Sequence, residues 1–225
     1  MFIVLDSIDG AGKGKQREVL EQYLKANTSI KLKTEGFPVH NEFYNYVVHP
    51  ALQEEKTMNG PSWVLSYLLD KTLETPNIKP FVGEKNNLYI ADGYFTTTIA
   101  YQSLLMKQVK LAKLIFLAKQ FEIPQPDLAI FIDADPEVAF KRKREEEGHN
   151  EGLDMFEKSL KKQKKLQAIF NKMVDKQIYC KWLRVDGNGT IEEVLQNIIQ
   201  VLKDNDIIGS NLNDPEQRSV SKGNY

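Results

Sequence analysis

The chain has 225 residues, a formal net charge of −1 at pH 7 and a single cysteine, Cys180. This length suits one large α/β domain or two small ones. The near-neutral charge argues against a dedicated nucleic-acid-binding protein, and one cysteine excludes a disulfide framework within the chain. Because no run of about 18 apolar residues and no leader segment is recognisable, we expect a cytoplasmic protein with no membrane partner.

Apolar runs and turn residues predict strands that alternate with helices. The predicted strands cover residues 2–6, 29–33, 87–91, 127–133 and 180–185. The predicted helices cover residues 13–25, 60–75, 135–147, 153–175 and 190–203, with two more between 93 and 121 that divide near 107–109. The alternation predicts a three-layer α/β fold with a five-stranded parallel sheet, helices on both faces and right-handed crossovers. We expect one domain over 1–203 and a flexible polar tail over 204–225.

The first predicted strand and the turn after it read FIVLDSIDGAGKGKQ. Gly10 and Gly12 let backbone N–H groups approach a phosphate, the following helix adds the positive end of its dipole, and Lys13 can reach the outer phosphates. The P-loop template GxxxxGK[ST] fits except at Ser7 and Gly14. Gly14 lacks the hydroxyl that normally contacts Mg²⁺. The segment predicts a nucleoside phosphate site, with an ordinary strand–turn–helix junction as the alternative.

Two carboxylates fall where a parallel sheet of this kind binds its ligands. Asp92 ends the third predicted strand, and ligands of such sheets lie at the carboxyl ends of the strands. Asp92 can therefore contact Mg²⁺ directly or through water, with a helix N-cap as the alternative role. Asp9 lies inside the glycine-rich turn and can face a second substrate, although aspartate is also a common turn residue.

Aromatic and basic residues suggest a place for a base and for phosphates. Tyr67 and Lys71 are one helical turn apart and can stack a base and hold a phosphate, although a core tyrosine and a surface lysine are the plainer interpretation. Arg142 and Arg144 lie late in a predicted helix, at about 100° per residue, so both cannot face one site and we favour Arg142. A solvated charged face is the alternative for this run.

Several blocks, in the same order, are similar to thymidylate kinases of the nucleoside monophosphate kinase group. FIVLDSIDGAGKGKQ resembles FxxxEGxDGxGKSTQ, ADGYFTTTIAYQ resembles DRYxxSxxAYQ, and PDLAIFIDADPEVAFKRKR resembles PDLxIxLDVxPExAxxRxR. FPVH, SYLLDK and GLDMFE match weaker family blocks, and the resemblance runs over about residues 1–203. It implies a P-loop kinase fold with a lid near 145–153. It also implies transfer of the γ-phosphoryl group from ATP to dTMP with Mg²⁺, and a homodimer.

The resemblance also implies roles for individual residues. The residues expected to contact ATP are Asp9, Gly10, Ala11, Gly12, Lys13, Gly14, Lys15 and Arg142. Those expected to contact dTMP are Asp9, Phe37, Tyr67, Lys71, Thr97, Thr98 and Tyr101. In this scheme the two large rings, Phe37 and Tyr67, pack on thymine, the two threonines approach its edge, and Tyr101 disfavours ribose. Lys13, Asp9, Asp92 and Arg142 would carry catalysis, with Asp92 at the metal.

The chain departs from the family pattern mainly at arginines, of which it has five against 25 lysines. Gly93, Lys71 and Met155 stand where the family has arginine. Each uncompensated charge-assisted hydrogen bond costs about 1.5–3 kcal/mol. Three interpretations follow: an active thymidylate kinase in which lysines such as Lys15 and Lys71 compensate, a kinase for dUMP or a modified pyrimidine monophosphate, and a degenerate nucleotide-binding paralogue. We expect the first, because Lys13 and the two carboxylates above are present.

Overall fold

A parallel sheet of five strands forms the middle layer of the protein, as seen in a computed structural model that describes residues 1–84, 86–145 and 159–209. The strands are β1 (Phe2–Asp6), β2 (Lys31–Gly36), β3 (Asn87–Asp92), β4 (Leu128–Asp133) and β5 (Lys181–Asp186). Their order across the sheet is β2-β3-β1-β4-β5, and all four pairings are parallel. The predicted sheet is therefore confirmed.

Helices cover both faces of this sheet. They are α1 (Lys13–Asn27), α2 (His49–Leu52) after a π-helical turn (Tyr44–Val48), α3 (Gly60–Ile78) with a 3₁₀ turn (Lys79–Phe81), α4 (Phe95–Thr98) continuing as a π-helix (Ile99–Leu105), α5 (Leu111–Gln120), α6 (Pro136–Glu145), α7 (Leu160–Asp175) and α8 (Ile191–Asp204). Helices α1 and α8 share one apolar core with one face of the sheet, while α3, α5 and α7 contribute to the core on the other face. Within the described residues, no helix has the length and apolar character required to span a membrane.

The period of two along β1 produces this three-layer arrangement. Phe2 and Val4 point into the core that contains α7, whereas Ile3 and Leu5 point into the core that contains α8. A strand that is buried on both faces has a continuous apolar sequence, which is why the run FIVL was easy to recognise.

Two boundaries and one missed segment are the clearest differences from the predictions. The second strand was predicted at 29–33 but lies at Lys31–Gly36, because this edge strand is partly exposed and has no continuous apolar run that marks its ends. The helical segment Tyr44–Leu52 was not predicted at all. Helix α7 begins at Leu160, after Ser159 accepts a hydrogen bond from the backbone of Lys162, whereas a start at 153 was predicted.

Parts of two predictions fall outside the described residues. Residues 146–153 of the predicted lid and residues 210–225 of the predicted tail are among them, as is Met155. The beginning of the predicted tail packs on the core, since Ile208 is buried beside the residues of α8.

The strand register brings the predicted carboxylate beside the glycine-rich turn. Leu5 of β1 pairs with Asp92 of β3. The backbone N–H of Gly93 donates to the carbonyl of Leu5 at 2.8 Å. The carboxyl ends of β1 and β3 therefore open onto one edge of the sheet, directly beside the start of α1.

The aromatic stack between α7 and β4 provides a test of the core. Phe170 is fully buried, and its ring lies 5.2 Å from that of Phe131. We expect Phe170→Ala to lower the free energy of unfolding by about 3–5 kcal/mol in urea titrations, because it opens a cavity in a packed core. Phe121→Ala serves as the control, since Phe121 is 46% exposed, and should change stability by at most about 0.5 kcal/mol. Equal small effects of the two variants would contradict this packing.

Candidate active site

The turn between β1 and α1 is held tightly by α6. A Cβ atom on Gly10 would lie 2.1 Å from the carbonyl oxygen of Ala139, and the φ of Gly10 is +80°, so only glycine fits here. Helix α1 then begins with no side-chain cap and no acidic residue in its first turn. Its first N–H groups and its dipole are thus available to an anion.

Lys13 carries the positive charge at this turn. Its Nζ lies 3.1 Å from Oδ1 of Asp92, with about a fifth of each side chain exposed. Burial disfavours the ammonium, but the carboxylates of Asp92, Asp6 and Asp9 outweigh it and raise the pKa of Lys13. The lysine is therefore charged and already balanced by carboxylates before any ligand binds.

Asp6 is a buried carboxylate for which no role was predicted, because it is the last residue of an otherwise apolar strand. Its Oδ1 accepts a hydrogen bond of 2.5 Å from Oγ1 of Thr97. Its Oδ2 is buried and accepts no well-formed hydrogen bond in the described part of the chain, although the Thr96 hydroxyl lies near enough to stabilise the carboxylate. Burial raises the pKa of Asp6, and the nearby charge of Lys13 opposes that shift. The positive charge of Lys13 therefore offsets only part of the cost of burying the Asp6 carboxylate.

All seven side chains that the family resemblance assigns to the acceptor nucleotide line one cavity of about 180 Å³, which we call the Tyr67 cavity. They are Asp9, Phe37, Tyr67, Lys71, Thr97, Thr98 and Tyr101. Lys13 lines the same cavity, as do Tyr44 and Leu52 from the helical segment that was not predicted. The aromatic walls and the P-loop lysine therefore belong to one site.

A hydrogen-bond network fixes one side of this cavity. The hydroxyl of Tyr101 donates to Oδ2 of Asp9 at 2.7 Å, and Nε2 of Gln163 donates to the same oxygen at 2.9 Å. The backbone N–H of Asp9 in turn donates to Oε1 of Gln163 at 3.2 Å. Gln163 was missed because one glutamine in a lysine-rich amphipathic helix gives no signal in the sequence.

Lys71 is a buried residue, which corrects its interpretation as a surface lysine. Its Nζ lies 2.8 Å from Oδ2 of Asp70, and both side chains are 2% exposed. The ammonium also lies 5.2 Å from the ring centroids of Phe37 and Tyr67. Lys71 thus contacts the rings of both Phe37 and Tyr67. Its charge, which was expected to bind a phosphate, is already neutralised by Asp70.

The polar edge of the Tyr67 cavity includes a free acceptor. The hydroxyl of Thr97 donates a hydrogen bond to Asp6, and the hydroxyl of Thr98 lies 3.4 Å from the carbonyl oxygen of Tyr94. Gln102 lines the cavity with 1% exposure, and its Oε1 has no partner among the described residues. A ligand N–H would reach this oxygen once the Gln102 side chain turns towards the cavity. Gln102 is the last residue of the AYQ block, but no role was predicted for it.

A second cavity, which we call the Arg142 cavity, also borders the turn. It is lined by Gly10, Ala11, Gly12, Lys15 and Arg142, together with residues 187 and 189–191 after β5. The loop after β5 was not assigned to the site from the sequence. In contrast to Arg142, the guanidinium of Arg144 lies over the ring of Phe140, 5.4 Å from its centroid.

Asp92 lies close to the position where the P-loop template has a hydroxyl. Its Oδ2 is 3.3 Å from the place of a Cβ atom on Gly14, and Gly14 itself lines neither cavity. Across the described residues, no three His, Cys, Asp or Glu side chains are grouped to hold a metal. A hard cation here would be bound by one carboxylate with ligand oxygens and water, which suits Mg²⁺.

The partly compensated carboxylate leads to a pH-dependent prediction. The pKa of Asp6 is raised above 3.8 on folding. Between 3.8 and the raised pKa, the folded protein therefore binds more protons than the unfolded chain. The free energy of unfolding falls as the pH rises through this range. Asp6→Asn should therefore raise the Tm of the free protein near neutral pH by the equivalent of about 1–3 kcal/mol. This advantage should disappear below the unfolded pKa. Exposed Asp204→Asn is the control; a pH-independent difference for Asp6→Asn would contradict the assignment.

Comparison with known proteins agrees with this geometry. The family model described as thymidylate kinase matches residues 5–198. A protein named thymidylate kinase from Caldicellulosiruptor saccharolyticus is 26% identical over 208 residues, which cover 90% of this chain and 96% of that protein. Thymidylate kinases from Francisella tularensis subsp. holarctica and subsp. novicida are each 25% identical over 209 residues, covering 89% of this chain and 94% of each relative.

The matched region contains the glycine-rich turn and every described residue of the two cavities. It also contains β2 to β5 in full and the end of β1. The chain belongs to the thymidylate kinase family.

Proposed function

We propose that this chain transfers the γ-phosphoryl group of ATP to dTMP and releases dTDP and ADP. One observation carries the proposal: the P-loop residue Lys13 lines the same cavity as the aromatic pair Phe37 and Tyr67. A monophosphate whose base stacks on these rings can therefore present its phosphate to the glycine-rich turn. The names of the relatives support thymidylate as the acceptor.

The walls of the Tyr67 cavity suit a pyrimidine deoxynucleotide. We propose that thymine packs on Phe37 and Tyr67 and offers its N3–H to the free Oε1 of Gln102. The hydrogen-bonded pair of Tyr101 and Asp9 lies along the sugar. Because this pair is already satisfied and fixed, an additional 2′-hydroxyl has little room, which favours deoxyribose.

The reaction is an in-line displacement that needs positioning and charge neutralisation, with no covalent enzyme intermediate. A 5′-phosphate oxygen of dTMP forms a bond to the γ-phosphorus, and the bond from that phosphorus to the β–γ bridging oxygen breaks, leaving its electron pair on ADP. Lys13 exchanges Asp92 for phosphate oxygens in this scheme, and Arg142 contacts the ATP phosphates from α6. Both stabilise the charge that develops.

Asp92 is the carboxylate that would hold Mg²⁺ when ATP is bound. The ion would supply positive charge that neutralises the phosphate oxygens of ATP during transfer. The proximity of Asp92 to Gly14 supports a direct role for the carboxylate, because no side chain at position 14 separates it from the turn.

We also propose that two copies of the chain associate through α3. Leu65, Leu69 and Leu73 are 58%, 42% and 53% exposed, and their spacing of four places them in one stripe. Contiguous exposed apolar surface of this kind marks an interaction site. The opposite side of α3 carries Tyr67 and Lys71, so association would also brace the acceptor cavity.

The activity is tested by ADP release from Mg·ATP with dTMP, dUMP, UMP, dCMP and dGMP as acceptors. We expect the highest kcat/KM with dTMP, and a loss of at least about 100-fold in Lys13→Ala, because a donor to the transferring phosphoryl group is removed. Lys25→Ala, at the exposed far end of α1, is the matched control and should retain full activity. Preference for another acceptor, or equal activity of Lys13→Ala and Lys25→Ala, would contradict the proposal.

The dimer is tested by light scattering after gel filtration. The double variant Leu69→Glu, Leu73→Glu should be monomeric, because two charges would be buried in an apolar contact. Val82→Glu, at a residue that is 38% exposed outside α3, should leave the mass at that of two chains. A monomeric wild type would rule out association through this stripe.

A further inference from the structure

A second cation of α1 faces the same edge of the sheet as Lys13. Arg17 follows Lys13 by four residues, which is about one helical turn. Together with Glu35, His40 and Asp92 it lines a cavity of about 320 Å³, which we call the Arg17 cavity. Phe37 also lines both this cavity and the Tyr67 cavity, so the two adjoin at that residue.

Arg17 has hydrogen-bonding capacity that the protein leaves unused. Its Nε is buried and has no hydrogen-bond partner within the residues that the structure describes. Lys13 and Lys71 have carboxylates, Asp92 and Asp70, at ion-pair distance. Arg17 interacts electrostatically with Glu21, one turn further along α1, but none of the ion pairs within the described residues includes it. A buried guanidinium N–H without an acceptor is unfavourable, and a turn of the Arg17 side chain into the cavity would bring that N–H to an anion there.

The neighbouring position that could supply a guanidinium is closed. Gly93 has a φ of +66°, and a Cβ atom there would lie 3.1 Å from Oγ1 of Thr97 and 3.4 Å from Nζ of Lys13. The left-handed backbone and these contacts disfavour any larger side chain. A guanidinium for this region must therefore come from another element, and α1 presents one.

We propose that Arg17 binds the 5′-phosphate of the acceptor nucleotide. This inference rests on the proposed function and names the group that holds the acceptor phosphate in line with the turn. The planar fork of arginine matches two phosphate oxygens, and a phosphate monoester dianion gains more from it than from a lysine point charge. The carboxylates of Glu35 and Asp92 line the same cavity, and their negative charges oppose an anion there. Glu35 accepts from the backbone N–H of Gly36 at 3.1 Å, and Asp92 is paired with Lys13 in the free protein and would hold Mg²⁺ in the complex.

The test is calorimetric titration of the full chain with dTMP, thymidine and ATP separately. In Arg17→Ala we expect dTMP affinity to fall about 10- to 100-fold, because a charge-assisted contact is lost. Thymidine and ATP affinity should stay within about twofold, since neither presents the acceptor phosphate. Arg17→Lys should lie between, because it keeps the charge without the fork. Lys25→Ala should match the wild type.

Three results would overturn this inference. Unchanged dTMP affinity would exclude a contact, equal losses for dTMP and thymidine would show that Arg17 only shapes the cavity, and a loss confined to ATP would place it on the donor. If Arg17→Ala folds poorly, the same three titrations with Arg17→Lys test the contact. If binding prefers dTMP over thymidine only when Arg17 is present, but no dTDP forms, the proposed reaction alone is refuted. If dTDP forms and Arg17→Ala binds dTMP as the wild type does, this inference alone is refuted.

Discussion

The ion pair between Lys13 and Asp92 is the contact around which the site is arranged, and it follows from the order of the strands. Because β1 and β3 are parallel neighbours in register, Leu5 lies beside Asp92, and the turn that leaves β1 must pass the carboxylate that ends β3. Helix α1 then delivers Lys13 to that carboxylate at 3.1 Å. The absence of a side chain at Gly14 lets Asp92 approach the start of the helix.

The cations of the site are balanced within the protein, which distinguishes it from a site built on free arginines. Lys13 faces three carboxylates, and Lys71 is paired with Asp70 and enclosed by two rings. Burying an ammonium in this way requires such partners, because an unpaired buried charge is costly. The consequence is that a phosphate at Lys13 must replace a carboxylate, whereas the buried Nε of Arg17 has no hydrogen-bond partner to replace among the described residues.

The sequence was sufficient for the layer architecture, because buried parallel strands leave local patterns. The motif blocks of the family resemblance were sufficient to group seven residues that line the Tyr67 cavity, but not Tyr44, Leu52 or Gln102. The sequence was insufficient where the pattern is weak or the contact is distant. The edge strand β2 lacks a continuous apolar run, and its start was misplaced by two residues. The contact between Asp9 and Gln163 joins residues 154 positions apart, and no local spacing reports such a pair. The ion pair of Lys71 with its direct neighbour Asp70 was also unexpected, because adjacent helical residues usually point in different directions.

The central claim is that Lys13 changes partners when both nucleotides bind. A crystal structure of the full chain with dTMP, Mg²⁺ and an ATP analogue that cannot transfer its γ-phosphoryl group would test it most directly. The account predicts Nζ of Lys13 at hydrogen-bond distance from phosphate oxygens, thymine against Phe37 and Tyr67, and Asp92 turned towards the metal. A complex in which Lys13 remains on Asp92 while the phosphates lie elsewhere would contradict it.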